Sequence, residues 1–375
     1  MKKALAILLV LALVMIPLAA CNDTTTPDNN SPPPANSPDN KPADSPDNSS
    51  GGNTGGDTGN QPATPGDKPI GDGLKAAMIL AGPISDPGFN GPAYEGLVRM
   101  KDELGYEISY AESVAPADYE NVFRTYAQQG YDIIFAHGAQ FLETAILVGD
   151  EFPDTWFAVS SGFGSNGVNV SGWNLNTYDV GFLAGALMAQ MTTTKQIGMV
   201  SGPEIPPIIM MYESMIAGAA YIDPEVVVQN VFTGDHVDSA QCREAAIALL
   251  DSGCDILSST AGVGSPGAIA ACAERGFYFV GTSADWSPVD PTTVLNSVFT
   301  DWGGAALLTA ELFAKGEIVP MPYMNGIAEG AVYFTGWGEL ESVVPESVKA
   351  SINDIMEGVA SGSIDIGALV AALSS

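Results

Sequence analysis

From Leu74 onward, short apolar runs alternate with longer segments in which apolar residues recur every three or four positions. The short runs end in Gly, Ser or Asn and are typical of buried strands in a parallel sheet. The longer segments are typical of amphipathic helices, and most of them close with Gly, the residue preferred just past a helix end. The predicted strands lie in KAAMILAG, YEISYAES, YDIIFAHG, TWFAVSSG, QIGMVSG, EVVVQNVFTG, CDILSSTAG and FYFVGTSA.

Two successive strand–helix series of this kind predict an α/β protein with two doubly wound, Rossmann-like lobes. A later strand, TVLNSVFTD, and a helix, WGGAALLTAELFAKG, fit a return to the first lobe. A last strand in AVYFTGWGEL and a helix in PESVKASINDIMEGVASG close the pattern. We therefore expect interleaved lobes within residues 73–375. The first takes about 73–176 and 298–320, and the second takes about 177–297 and 321–375.

The N-terminal region has a different pattern. Residues 1–20 carry two lysines, an apolar stretch and closing small residues, which predicts a signal peptide. The ending LAAC resembles a bacterial lipobox and predicts that Cys21 carries acyl chains, which would anchor the protein to the outer face of the cell membrane. The alternatives are an ordinary signal peptide with a chance Cys, or an uncleaved anchor. The rest of 21–72 is Pro-, Asn-, Gly- and Ser-rich and predicts a disordered linker.

Composition excludes several classes of function. The chain has 375 residues with 44 acidic against 13 basic side chains, and a net charge of −31 argues against nucleic-acid partners. Three cysteines follow the lipobox, Cys242, Cys254 and Cys272, without CxxC or Cys/His spacing. We expect them to be small buried hydrophobes. The sequence predicts neither a metal site nor a cofactor.

The candidate ligand-binding positions are those where the predicted strands end, because ligands of open parallel sheets bind outside the carboxyl ends of strands. These positions carry aromatic rings, amides, small residues and a few carboxylates, with almost no Lys or Arg. This set suits a neutral heteroaromatic ligand better than a phosphorylated one. No catalytic motif is present, so no enzyme is predicted. The candidate ligand-binding residues are Asp86, Phe89, Asn90, His137, Phe163, Asn174, Tyr178, Asp285 and Trp286.

Several of these residues have structural alternatives. Phe89 can pack a helix start, Asp86 can form a turn through backbone N–H groups, and Asn90 can cap a helix. The remaining alternatives are Asp285 as a helix cap and Trp286 and Trp302 as packing between the lobes.

Residues from about 75 to 360 resemble the basic membrane protein family of bacterial substrate-binding lipoproteins, which includes purine-nucleoside receptors. The resemblance rests on both the content and the order of the motifs. They are SDPGFNGPAYEG, FPDTWFAV, NTYDVGFLAGALMAQMTTTKQIGMVSGPEIP, DPEVVVQNVFTGDHVDSAQCREAAIALLDSGCDI and GTSADWSPVDP.

The resemblance implies a type I periplasmic-binding-protein fold and a monomer that delivers a purine nucleoside or base to an ABC permease. The aromatic that stacks on the purine in the family corresponds to Phe89, and its neighbouring acid and amide correspond to Asp86 and Asn90.

Asp285 matches the second acid of the family's late motif, whereas Ser283 and Thr300 stand where nucleoside-binding members carry an acid and a Lys. The forms ADWSP and FTDWG resemble the branch that binds free purine bases or related heterocycles. The alternatives are a lipid-anchored sensor that presents its ligand to a receptor kinase, and a binder of a sugar or another small heterocycle. A nucleoside hydrolase would need clustered acids for a metal, and the sequence has no such cluster.

Overall fold

The computed structural model describes residues 68–86 and 88–373, and within them the chain forms two six-stranded sheets. The strands are β1 (Lys75–Leu80), β2 (Glu107–Ala111), β3 (Ile133–His137), β4 (Trp156–Val159), β5 (Val170–Leu175), β6 (Gln196–Ser201), β7 (Val227–Phe232), β8 (Ile256–Ser259), β9 (Tyr278–Ser283), β10 (Val294–Thr300), β11 (Pro322–Asn325) and β12 (Val332–Phe334). The helices are α1 (Asn90–Leu104), α2 (Tyr119–Gln128), α3 (Leu142–Glu151), α4 (Thr177–Met191), α5 (Pro206–Ile222), α6 (Ser239–Asp251), α7 (Pro266–Arg275), α8 (Trp302–Ala314), α9 (Glu346–Ala360) and α10 (Ile366–Leu373).

Strand order confirms the predicted pair of doubly wound lobes. The first sheet runs β11–β5–β4–β3–β1–β2 with every neighbour parallel. The second runs β12–β10–β9–β8–β6–β7, and only β12 pairs antiparallel within it. The carboxyl ends of parallel strands meet at one edge of a sheet, and ligand sites form there.

The central strands are buried on both faces, which explains their uninterrupted apolar runs. Because side chains alternate along a strand, Met78 and Leu80 of β1 pack with the apolar side chains of α1 and α8, whereas Ile79 packs with those of α2 and α3. In the second lobe α4, α5, α9 and α10 cover one face of the sheet, and α6 and α7 cover the other. The predicted burial of the three free cysteines of this lobe is confirmed.

The chain crosses between the lobes three times, after β5, after β10 and after β11. The crossovers lie side by side, since the Asn176 N–H donates to the Asn325 carbonyl at 2.8 Å and the Asp301 N–H donates to the Ala331 carbonyl at 2.8 Å. In proteins that close around a ligand, hinges are found at connections of this kind.

The later strands join different lobes from those expected. The sequence pattern places TVLNSVFTD in the first lobe and 321–375 in the second, whereas β10 lies in the second sheet and β11 in the first. Strand β10 is buried almost throughout, like the central strands of both sheets, so its residue pattern carries no signal for which sheet it joins. Strand β11 was not predicted, because it is short, begins with Pro322 and lies at a sheet edge.

The predicted signal peptide (1–20), Cys21 and linker residues 22–67 lie outside the described residues. The linker was expected to reach residue 72, but the Gly71 N–H already donates to the Leu104 carbonyl at 2.7 Å, so contacts with the domain begin earlier. Across 68–86 and 88–373, no helix combines the length and apolar character needed to cross a membrane.

Candidate functional site

A cavity of about 550 Å³ lies between the two lobes at the carboxyl ends of their strands, within the size range of small-molecule sites. Its lining is mainly apolar, with a few hydroxyls. Of the described residues that line it, Asp285 is the one carboxylate, and none is Lys or Arg. The aromatic lining residues are Phe89, Trp286 and Trp302, and the aliphatic ones include Ile205, Pro207, Ile208, Met211, Val263 and Pro266. The polar ones are Thr177, His236, Ser259, Thr260, Thr282, Ser283 and Asp285.

Phe89 is the aromatic residue that the first lobe presents from the loop between β1 and α1. One face of its ring stacks on His137, with centroids 3.7 Å apart and planes at 29°. The Trp302 ring stands nearly perpendicular to it, at 83° and 5.4 Å between centroids. Because His137 covers one face of the half-buried Phe89 ring, the opposite face is the one available to a ligand.

Asp86 and Asn90 build the loop that holds Phe89. The Asp86 carboxylate accepts hydrogen bonds from the backbone N–H groups of Gly88 (2.9 Å) and Asn90 (3.1 Å) and from the Asn90 side-chain amide (2.8 Å). Burial alone would raise the pKa of Asp86, but these bonds outweigh it and lower the pKa below its ordinary value. The Asn90 amide oxygen in turn accepts from the Gly82 N–H at 3.3 Å. Neither side chain lines the cavity. Asp86 matches its turn-forming alternative, whereas Asn90 does not cap α1, because it is the first residue of the helix and its amide bonds Asp86 and Gly82 instead.

His137 lies beneath the Phe89 ring with none of its surface exposed. Its Nε2 is 3.0 Å from the Phe89 carbonyl oxygen, and its Nδ1 is 2.8 Å from Ser160 Oγ. Burial lowers the pKa of His137 to about 3. The sequence pattern predicts His137 as a ligand contact, but both ring nitrogens are engaged inside the first lobe and the ring does not line the cavity.

Asp285 and Trp286 follow β9 in the second lobe and both line the cavity. Asp285 is exposed, and its Oδ1 accepts from the Ser287 N–H (3.0 Å) and hydroxyl (2.7 Å). No described residue bonds to its Oδ2, so that oxygen remains available to a ligand. Trp286 donates its backbone N–H to Ser297 Oγ (3.0 Å) and its indole N–H to the Thr282 carbonyl (3.0 Å), so its ring presents apolar surface.

The other three predicted contacts lie elsewhere. Phe163 and Tyr178 line a second, more open concavity beside the crossovers, together with the buried carboxyl of Asp179. Asn174 is buried within β5 and donates to the Gly162 carbonyl at 3.0 Å. The sequence pattern places Asn174 at a helix entrance, because residues 170–175 lack a continuous apolar run. In the structure these residues form β5, so the Asn174 side chain lies within the sheet.

Comparison with known proteins gives the family. Residues 74–368 match the family model Bmp, described as ABC transporter substrate-binding protein PnrA-like. The chain belongs to the Bmp family. Its members are substrate-binding proteins rather than enzymes, and the chain is accordingly a solute-binding protein of an ABC transporter.

Relatives of this Bmp-family protein carry different ligand names. A Haloferax volcanii protein named as a glucose-binding protein of an ABC transporter is 27% identical over 80% of this chain and 75% of its own. A purine-binding protein of Brucella abortus is 25% identical over 78% and 82%. A nucleoside-binding protein of Lactococcus lactis is 27% identical over 50% and 55%.

Solved structures show that the Bmp-family chain has the type I periplasmic-binding-protein fold. A solute-binding protein of an ABC transporter system from Conexibacter woesei superimposes with a TM-score of 0.65 at 24% identity, over 78% of this chain and 98% of its own. A periplasmic ribose ABC transporter protein from the same organism gives a TM-score of 0.58 at 16% identity, over 73% and 96%.

Ser283 and Thr300 contact each other in this Bmp-family chain. They are the two motif positions at which the sequence differs from the nucleoside-binding members that it resembles. The Thr300 hydroxyl donates to the Ser283 carbonyl at 2.8 Å, which ties β10 to the end of β9. Ser283 lines the cavity with a φ of +66°, a left-handed conformation that is strained for a residue with a side chain. Strained residues of this kind are often found at ligand sites.

Several lining residues of the Bmp-family site were not singled out from the sequence. Trp302 was considered only as packing between lobes, and His236, Ser259 and Thr260 were not chosen individually. A signal for them is present, since Thr260 directly follows β8 and His236 lies in the loop between β7 and α6. The sequence does not show which side chains of such a segment point into the cavity.

Proposed function

We propose that this Bmp-family protein is the membrane-anchored receptor of an ABC importer and that it binds a purine nucleoside or a free purine base between its lobes. The observation that carries the proposal is the exposed face of Phe89, backed by His137 and bordered at 83° by Trp302. A fixed aromatic face binds a flat, neutral ring by stacking, and every nucleobase has such a ring.

The rest of the cavity supports a neutral ligand. A phosphate group would need a cationic partner, and no described lining residue is Lys or Arg. The free Oδ2 of Asp285 can accept a hydrogen bond from a ring N–H or a ribose hydroxyl, and the hydroxyls of Thr177 and Thr260 can donate or accept. The lining therefore suits a ligand with a flat apolar face and a few polar atoms at its edge.

The names of the relatives support this ligand class in part. Two relatives are named for purine or nucleoside binding and one for glucose, and glucose is therefore the competing ligand. Aromatic rings also pack against sugars, but a hexose carries hydroxyls all round and is usually held by several charged or amide side chains. In the lining described here Asp285 is the one side chain of that kind. We favour the purine for this reason.

Closure of the lobes is the proposed mechanism of uptake. A ligand that stacks on Phe89 from the first lobe and meets Asp285 and Trp286 from the second bridges both walls of the cavity. Such a bridge stabilises the closed arrangement over the open one, and a permease can distinguish the two. We infer that the lipid anchor at Cys21 and the polar linker after it hold the domain at the membrane beside the permease. A sensor would use the same lobes and closure.

Isothermal titration of the ligand-free protein tests the proposed ligand class. The titrants are adenine, hypoxanthine, adenosine and guanosine, with glucose and ribose as the competing class. We expect saturable binding of at least one purine and none of either sugar in the same concentration range. Binding of glucose or ribose more tightly than every purine would contradict the proposal.

A further inference from the structure

His137 and Ser160 connect the core of the first lobe to Phe89, whose ring faces the cavity. His137 ends β3, and Ser160 directly follows β4, so neighbouring strands bring the two side chains together. His137 is fully buried, yet it touches Phe89 twice, through ring stacking at 3.7 Å and through its Nε2 at 3.0 Å from the Phe89 carbonyl oxygen. The Trp302 ring also lies against it, with centroids 4.9 Å apart.

The hydrogen-bond partners define which ring nitrogen carries the proton. A carbonyl oxygen only accepts, so Nε2 of His137 is protonated and donates to Phe89. Burial keeps the ring neutral, so Nδ1 has no proton and accepts from the Ser160 hydroxyl at 2.8 Å. Ser160 Oγ accepts in turn from the Gly138 N–H at 2.9 Å. The chain of bonds therefore runs in one direction, from the Gly138 backbone through Ser160 and His137 to Phe89.

Besides His137, the Trp302 ring and the Asp86 carboxylate hold Phe89, and the Asp86 bonds act on the backbone rather than on the ring. Phe89 precedes α1 as the N-cap residue, with φ −137° and ψ −64°, and its side chain makes no capping bond. The ring is half-buried, and a ring in such a position samples other rotamers unless neighbours hold it. The bond from His137 holds the carbonyl of the Phe89–Asn90 peptide, whose N–H is held by Asp86, and the stacked imidazole fixes the plane of the ring.

We propose that His137 is a positioning residue for ligand binding, which holds the Phe89 ring in the plane that a flat ligand meets without touching the ligand itself. The inference rests on the proposed function insofar as Phe89 is the stacking platform. It predicts that the contribution of His137 to affinity is made entirely through Phe89. A residue that only fills the core would affect stability but would not be energetically coupled to Phe89 in ligand binding.

A double-mutant cycle tests this coupling. His137→Phe keeps an aromatic ring under Phe89 and removes the donor. The probe is whichever of adenine, hypoxanthine, adenosine and guanosine the unmodified protein binds most tightly, and we expect the substitution to weaken its binding about five- to tenfold, the usual net effect of one hydrogen bond. In a Phe89→Ala background, the same substitution should change affinity less than about twofold. Trp156→Phe is the matched control, since it also removes one side-chain donor bond (to Ser171, 2.9 Å) from the same sheet and does not line the cavity. Equal losses in both backgrounds, or the same loss in the control, would overturn the inference.

A second measurement needs no ligand. The chain has two histidines, so long-range ¹H–¹⁵N spectra resolve the His137 ring once His236 has been substituted. We expect a neutral ring with its proton on Nε2 from pH 5 to 8. A proton on Nδ1, or protonation within that range, would overturn the inference. If the unmodified protein binds no purine, the proposed function fails, and this spectrum still tests the hydrogen bond from His137 to Phe89 without any ligand.

Discussion

Phe89→Ala is the substitution that most directly tests the aromatic platform. Loss of base–aromatic stacking costs about 1–3 kcal/mol, judged from nucleic-acid-binding sites. Because about 1.4 kcal/mol corresponds to a factor of ten, the dissociation constant for a purine should rise about five- to 150-fold. The variant also loses ring contacts with His137 and Trp302, each worth about 0.5–1.5 kcal/mol, so a modest fall in melting temperature accompanies the affinity loss.

The assay is isothermal titration of a purine into the unmodified protein, Phe89→Ala, Phe89→Tyr and the control Phe163→Ala. Phe163 is 59% exposed and lines the second concavity, so its removal should leave affinity within about twofold. Phe89→Tyr keeps the ring and should retain most of the affinity. Unchanged purine affinity in Phe89→Ala, or an equal loss in Phe163→Ala, would refute the stacking role.

Three further predictions concern the helices, the hinge and the anchor. A Cβ at Gly185 would overlap backbone of the facing helix α5, so Gly185→Ala should lower the free energy of unfolding by about 1–3 kcal/mol in urea titrations. Gly367→Ala, where a Cβ finds ordinary contact space, is its control, and equal effects would contradict the prediction. Burial raises the pKa of Asp179 to about 6 from 3.8, so the folded protein holds this proton more tightly than the unfolded chain. The resulting stabilisation is present below about pH 4 and is lost as the pH rises through 6. Asp179→Asn should remove that part of the pH dependence, and an unchanged profile would argue against it. Cys21→Ser should abolish incorporation of labelled fatty acid and either release the mature protein or leave an unprocessed precursor; a protein that stays lipid-labelled and membrane-bound would show that the anchor lies elsewhere.

The repeating pattern of apolar runs was sufficient to predict the two lobes, because strands buried on both faces leave a continuous signature such as KAAMIL in β1. Strand β5 lacks that signature, since its polar Asn174 and its Gly172 interrupt the run. Periodicity carries no information about which sheet receives a buried strand such as β10. That assignment depends on pairing between distant segments.

The site was predicted in part for a similar reason. Phe89, Asp285 and Trp286 could be predicted from their positions just after predicted strands, and all three line the cavity. The roles of Asp86 and His137 depend on where their polar atoms point, and this follows from the packed loop rather than from the residue type. A polar residue near a ligand site has the same appearance in a sequence whether it binds the ligand or supports the residue that does.

Mass spectrometry of bound small molecules tests most directly whether the cavity between the lobes holds a purine. Protein purified under mild conditions can be denatured, and the small molecules that it releases identified by mass spectrometry, with Phe89→Ala protein prepared in parallel as the control. We expect a purine nucleoside or base in the unmodified sample and much less of it in the variant. Release of a hexose or pentose from both samples, with no purine in either, would contradict this expectation.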